Sequence, residues 1–413
     1  MKKIFAGILA VTCAFSTYAQ DKALLETLVK KGMLTQQEAT QIAKESVEVT
    51  PSAKTTKQIR VFGGMQGWFK WADNYISDGT ASLNEISGFE LKYVKFGLEA
   101  DVGSGWTATL VMDFGSEGDR RNYLDKVVIS KNVDIDYING TMQIGLRKSN
   151  MGIEQITDDF GLLAIDRSIA TNVFTHAGNT QNIKCFGGRT VGIFWDGEIP
   201  SIEGLYYSAA ITSEITEGTS GVINNINANS GLSYYVAVGY KNVMELNGRT
   251  INYDLGVNTG YASKGFERND EKNEIWGVNP YAILKVAGVS IIGEMFYQNV
   301  QNGKTISTSA DAFGANLIVA YKVDLTGGMG ELEPVVRFSY VTTDGLGAGV
   351  TADNKTFYFD DAKTLYVGVN WYPTEAIKTS IGYEYGWYEN GLNAVQAERL
   401  HSNMVLAQLQ VVF

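Results

Sequence analysis

The chain is poor in cysteine, histidine, proline and charge. Its 413 residues include 2 Cys, 2 His and 5 Pro, and only 19 % are charged. So few cysteines exclude a disulfide scaffold and a zinc-finger array, and so few histidines argue against a His-built metal or proton-relay centre. Beyond the N-terminus the sequence has none of the long apolar runs that would make a transmembrane helix. The formal net charge of −11 makes nucleic acid an unsuitable partner. What is abundant is Gly (45), Tyr (22), Phe (18) and Trp (7). With 45 % hydrophobic residues and a mean hydropathy of −0.08, apolar positions must be interleaved with polar ones, and disorder is excluded.

At the N-terminus, Lys2 and Lys3 precede the apolar run Ile4 to Phe15 and the small-polar stretch Ser16 to Ala19. This pattern is a secretory signal peptide, residues 1–19, cut after Ala19. Cys13 leaves with it, so Cys185 is the single thiol of the mature chain, and loss of Lys2 and Lys3 takes the formal charge from −11 to −13. Leu24, Leu25, Leu28 and Val29 then recur at helical spacing, Gly32 marks a C-cap, and Thr35 with Glu38 forms a capping box ahead of Ala39, Ile42 and Ala43. The spacing predicts two short helices. Residues 20–57 are thus a periplasmic helical extension ending in a Pro51-containing linker.

From Gln58 to Phe413 the period changes to two. Val94, Phe96, Leu98, Ala100 and Val102 alternate with Lys95, Gly97, Glu99 and Asp101, and Ile251, Tyr253, Leu255 and Val257 with Asn252, Asp254, Gly256 and Asn258. Roughly 16 such segments fit this span, the spacing of membrane-crossing strands with their turns and loops. Their polar face is mainly Gly and charge, too lean to fill a sandwich core but suited to lining water inside a barrel. The aromatic cluster Trp68 to Trp71 and the pairs Tyr206-Tyr207, Tyr234-Tyr235, Trp371-Tyr372 and Trp387-Tyr388 are expected in interfacial girdles. The final strand alternates Val405, Ala407, Leu409 and Val411 with Leu406, Gln408, Gln410 and Val412 and stops on Phe413, the aromatic ending that barrel assembly machinery reads. The expected fold is all-β, a transmembrane antiparallel β-barrel of about 16 strands in outer-membrane lipid, with the short helical extension on its periplasmic side.

Several stretches carry a family likeness: Ile144 to Lys148 leading into Gly152 to Thr157 and Ile165 to Ser168; Arg189 to Ile193; Gly330 to Tyr340; Leu365 to Pro373; and Leu409 to Phe413. In that order they resemble the phosphate-selective porin O and P family. The resemblance implies a homotrimeric, 16-stranded outer-membrane channel of a Gram-negative-type bacterium. It would pass small hydrophilic solutes or ions, phosphate or other anions among them, without enzymatic activity or a cofactor. It also implies that Ser149 to Thr175 folds inward to narrow the pore. An alternative of a different class is a structural or adhesive barrel that ties the membrane to the cell wall and conducts little.

The pore-lining and constriction candidates are Arg60, Arg147, Lys148, Glu154, Asp158, Asp159, Asp166, Arg167 and Arg337. Arg147 and Arg167 lead, because a guanidinium is charged at any relevant pH and offers forked donors to an anion. Either could instead pair with a neighbouring acid and brace the loop. Four acids against Arg167 within the loop predict a net negative field at the narrowest point and a weak cation preference or near-neutrality, not strong phosphate selectivity. His401 beside Ser402 and His176 near Thr175 lack the nucleophile elbow of a barrel hydrolase. Asp158-Asp159 and Asp360-Asp361 lack the spacing of a calcium loop.

Overall fold

A computed structural model describes residues 58–76, 85–115, 123–135, 137–175, 186–213, 231–263, 267–268, 271–272, 274–305, 308–344, 348–352, 355–389 and 399–413. The signal peptide, the helix pair, His176 and Cys185 lie outside the described residues. The body is a closed 16-strand antiparallel β-barrel. Its strands are β1 Gln58–Ile76, β2 Ile86–Gly103, β3 Trp106–Asp113, β4 Leu124–Ile135, β5 Ile138–Lys148, β6 Arg189–Glu198, β7 Leu205–Ser213 and β8 Leu232–Leu246. There follow β9 Arg249–Ala262, β10 Ile275–Val286, β11 Val289–Thr305, β12 Thr308–Tyr321, β13 Glu331–Thr342, β14 Asp361–Thr374, β15 Ile377–Glu389 and β16 Arg399–Val412. Each strand pairs with its neighbour in sequence, and β16 returns to β1 with Gly64 opposite Val412 and Gln66 opposite Gln410. Phe413 completes the closure, its amide donating to Gly63 O and its carbonyl accepting from Gly63 N, both at 3.0 Å.

The two ends of the barrel differ. One carries tight turns, including Asn247-Gly248 and Ala287-Gly288 with positive φ at both residues (53°, 72° and 49°, 82°), the mirror-image turn whose twist matches the flanking strands. The other carries the long connections, among them residues 149–188 between β5 and β6.

Period two decides what each strand shows to either side. Outward positions such as Ile129, Ile193, Val236, Leu255, Leu317, Phe338, Val367, Ile381 and Leu409 are exposed, forming an apolar belt far larger than a soluble monomer tolerates. The same rule corrects the expected girdle. Adjacent residues point to opposite faces, so only one of each aromatic pair can face out. Trp68 and Tyr235 are buried inside the barrel, whereas Phe69 packs on Phe89 and Tyr234 on Tyr261.

The inner face is also less lean than its composition implies. Met151, Val173, Phe174, Phe186, Tyr235, Ile275, Phe296, Val341 and Phe359 form one buried cluster; Trp68, Ala164, Ile165, Ile318, Val335, Tyr366 and Leu406 form a second. Both clusters join loop residues to wall residues. The loop supplies the apolar surface that pairs with the wall's few apolar inward positions, so burial arises only once it folds in.

Candidate functional site

The β5–β6 loop contains helix α1 Ile153–Ile156, a 3-10 turn at Asp159–Gly161 and helix α2 Ile169–Thr175. Local chemistry sets each piece. Gly152 takes φ 84°, a left-handed conformation that turns the next amides toward the wall. Asp158 accepts from Phe160 N at 2.8 Å and caps the 3-10 turn. Ser168 Oγ accepts from Thr171 N at 3.1 Å at the start of α2.

From Gly152 the loop crosses the lumen and then follows the inner wall. Asn279 on β10 accepts from Gly152 N at 2.9 Å. Glu294 on β11 accepts from Ile153 N at 2.7 Å, Glu154 N at 3.3 Å and Thr171 Oγ1 at 3.3 Å. The next contacts are on the far side. Gln66 on β1 donates to Asp159 O at 3.0 Å, Gln410 on β16 to Phe160 O at 2.9 Å, and Lys378 on β15 to Leu162 O at 2.5 Å. Asn370 on β14 donates to Leu163 O at 2.8 Å, and Ser339 on β13 accepts from Ala170 N at 3.1 Å. Phe174 stacks on Phe296, ring centroids 5.2 Å apart. Because inward side chains satisfy the loop's backbone polar groups, an irregular segment can lie inside a barrel.

Two ionic groups fix the loop. In the first, Arg337 on β13 is 1 % exposed and donates to Glu154 at 3.0 Å, to Glu384 on β15 at 2.6 Å and to the Asp166 carbonyl, while lying over the Tyr366 ring at 5.3 Å. In the second, Asp159 accepts from Arg167 at 2.5 Å and from Lys95 on β2, with Lys148 at 3.7 Å. Asp125 on β4 extends this network to Lys95 at 3.2 Å and to Arg189 on β6. Burial disfavours the Asp159 charge, but Lys148, Arg167 and Lys95 outweigh it and hold that carboxyl well below the usual carboxylate range. Burial likewise works against Asp166, and Lys92 and the Arg167 amide more than offset it, lowering that group too.

The sequence-derived candidates therefore divide. Lys148, Glu154, Asp159, Asp166, Arg167 and Arg337 come together between loop and wall, with Glu154, Asp159, Arg167 and Arg337 buried. Asp158 is exposed. Arg147 sits at the loop's root as a brace, bonded to Gln143 at 2.5 Å, Asp196 at 2.5 Å and Asn150 at 2.7 Å, and lying over Phe194. Arg60 stands apart from the loop near the start of β1, paired with Glu99 at 3.2 Å. The premise of the expected negative field needs correction, because it took the loop acids as free charges. Glu154 and Asp159 are neutralised by wall cations that the linear sequence places 183 and 64 residues away. The partners sequence reasoning did not assign are Asn279, Glu294, Glu384, Asp125 and Arg189. Period two put Glu294 and Glu384 on the inner face, but only the tertiary path of the loop shows what they bind.

No family model and no curated protein matches the chain. Among solved structures it is similar to the outer membrane channel DcaP of Acinetobacter baumannii, at 11 % identity and TM-score 0.55, over 89 % of this chain and 100 % of that one. It is similar to an anion-selective porin from Comamonas acidovorans at 11 % identity and TM-score 0.54, over 86 % and 99 %. OprB of Pseudomonas putida matches at 10 % identity and TM-score 0.56, over 86 % and 94 %. At these identities the likeness is one of fold.

Proposed function

We propose that the protein is an outer-membrane porin, a homotrimeric water-filled channel through which small hydrophilic solutes or ions diffuse passively. The observation that carries this reading is the combination of a closed barrel, apolar outside, with a loop fastened across its polar interior. Closure supports residence in lipid, because an open edge would leave backbone groups unpaired in hydrocarbon. Short turns at one end and long connections at the other support an orientation with the turns and both ends of the barrel domain toward the periplasm. The loop supports selection by size and charge, since it lies inside the barrel, hydrogen-bonded to inward side chains of the wall. Likeness of fold to channels and porins agrees with this reading.

Reconstitution into planar bilayers tests it. Purified, folded protein should give stepwise conductance, in groups of three if the trimer conducts as three pores. Folded protein that never conducts would favour the structural or adhesive barrel instead.

A further inference from the structure

The loop leaves the lumen unevenly filled. Between Gly152 and Thr175 its hydrogen bonds to the wall reach β1, β2 and β10 to β16, plus Lys148 at its own root. The wall formed by β3 to β7 below that root receives none of them among the described residues. On the loop's other side Ile156, Asp158 and Gly161 are exposed, facing the space left open. The remaining passage is therefore eccentric, bounded by that loop edge and by β3 to β7.

Charge is distributed just as unevenly. Behind the loop, Glu154 and Glu384 pair with the guanidinium of Arg337 and Glu294 accepts from the Glu154 amide, with Glu154, Glu294 and Arg337 buried. On the passage side, Lys95, Lys148, Arg167 and Arg189 surround two carboxylates, Asp125 and Asp159. Next to that cationic group stands Lys126 on β4, on the inward face. It is half-buried and has electrostatic neighbours in Arg147, Glu99, Asp196 and Asp125. The carboxylates of Glu99, Asp196 and Asp125 are already engaged, by Arg60, Arg147 and Arg189 respectively. Lys126 itself makes no hydrogen bond or ion pair among the described residues, so its ammonium is the cation on this wall still available to a passing solute.

Resting on the porin reading above, we infer that Lys126, adding to the two positive charges by which Lys95, Lys148, Arg167 and Arg189 exceed Asp125 and Asp159, sets the ion preference of the passage, favouring small anions over cations. An unpaired charge on a narrow aqueous wall acts on every ion that passes, whereas an ion pair presents a dipole whose field dies away quickly. At physiological ionic strength an ion about 6 Å away lies within a Debye length and feels about half of it.

The test is the reversal potential of the full-length protein in planar bilayers under a KCl gradient. Neutralising Lys126→Gln should lower the anion-to-cation permeability ratio about threefold, and Lys126→Glu about tenfold, with both effects growing as salt is reduced. Lys126→Arg should retain the wild-type ratio. Lys126→Gln removes the charge but stays polar, and carries the test if the glutamate variant fails to fold. Conducting variants with an unchanged ratio would overturn this inference and leave the porin reading standing. Folded wild-type protein without conductance would overturn both.

Discussion

Arg337 offers the sharpest test of how the loop is held. Substitution by Met keeps much of the side-chain volume but removes the one cation that Glu154 and Glu384 share at 3.0 and 2.6 Å. Both carboxylates then remain in a site that also contains Glu294, whose oxygens already receive two loop amides. Breaking a buried ion pair by removing one partner costs about 3–5 kcal/mol, whereas a neutral hydrogen bond contributes about 1 kcal/mol net. The loss thus equals several of the loop's other wall contacts together, and corresponds to a shift of about two to nearly four orders of magnitude in the docked population. The strand ladder loses nothing. Arg337→Met should therefore leave the barrel closed while freeing the loop. Single-channel recording should show larger and noisier conductance, and trypsin should cut after Arg167, which is 7 % exposed in the docked loop. Adding Glu154→Gln and Glu384→Gln should restore much of the docking, because the two carboxylates that lost Arg337 are then neutral. If Arg337→Met conducts as wild type does and resists trypsin equally, the ionic fastening described here is wrong.

Phe174, fully buried and stacked on Phe296, should cost about 3–5 kcal/mol of loop docking when changed to Ala, seen as trypsin sensitivity of the loop without loss of the heat-modifiable barrel. Asp159 is held below its ordinary value, so its contribution is complete above the unfolded pKa of about 3.9 and is lost only as pH falls through the lower folded value. The difference in loop docking between wild type and Asp159→Asn should accordingly be constant from about pH 8 to 5 and shrink only below about pH 4; a difference that fades already near pH 6 would contradict the assignment. Phe413→Asp leaves the backbone pair with Gly63 available and places a charge near the interface, where its cost is at most about 1 kcal/mol. It should therefore still fold from urea into detergent yet fail to assemble in cells, and normal amounts of heat-modifiable protein in the outer membrane would refute the assembly role of that side chain.

How much of this was legible beforehand depends on whether the signal was local. Alternation such as Val405, Ala407, Leu409 and Val411 against Leu406, Gln408 and Gln410 follows from the two-residue repeat of a strand. The inward assignment of Lys95, Glu294, Arg337 and Glu384 needed nothing more. Arg147 held both of its readings in the sequence, and its four-fold bonding at the loop root supports the bracing one. The aromatic pairs misled because composition near a strand end says nothing about parity, and parity turned Trp68 and Tyr235 inward.

The sequence alone determined the strands, their two faces and the need for closure, because each rests on residues close together in the chain, whereas the inward loop was expected from the family resemblance. Only the tertiary structure decided which charges remain active. Glu154 meets Arg337 and Asp159 meets Lys95 because the loop crosses the lumen and follows the far wall. Coulomb interactions and desolvation depend on distance in space and on burial, neither of which a linear count of acids and bases contains.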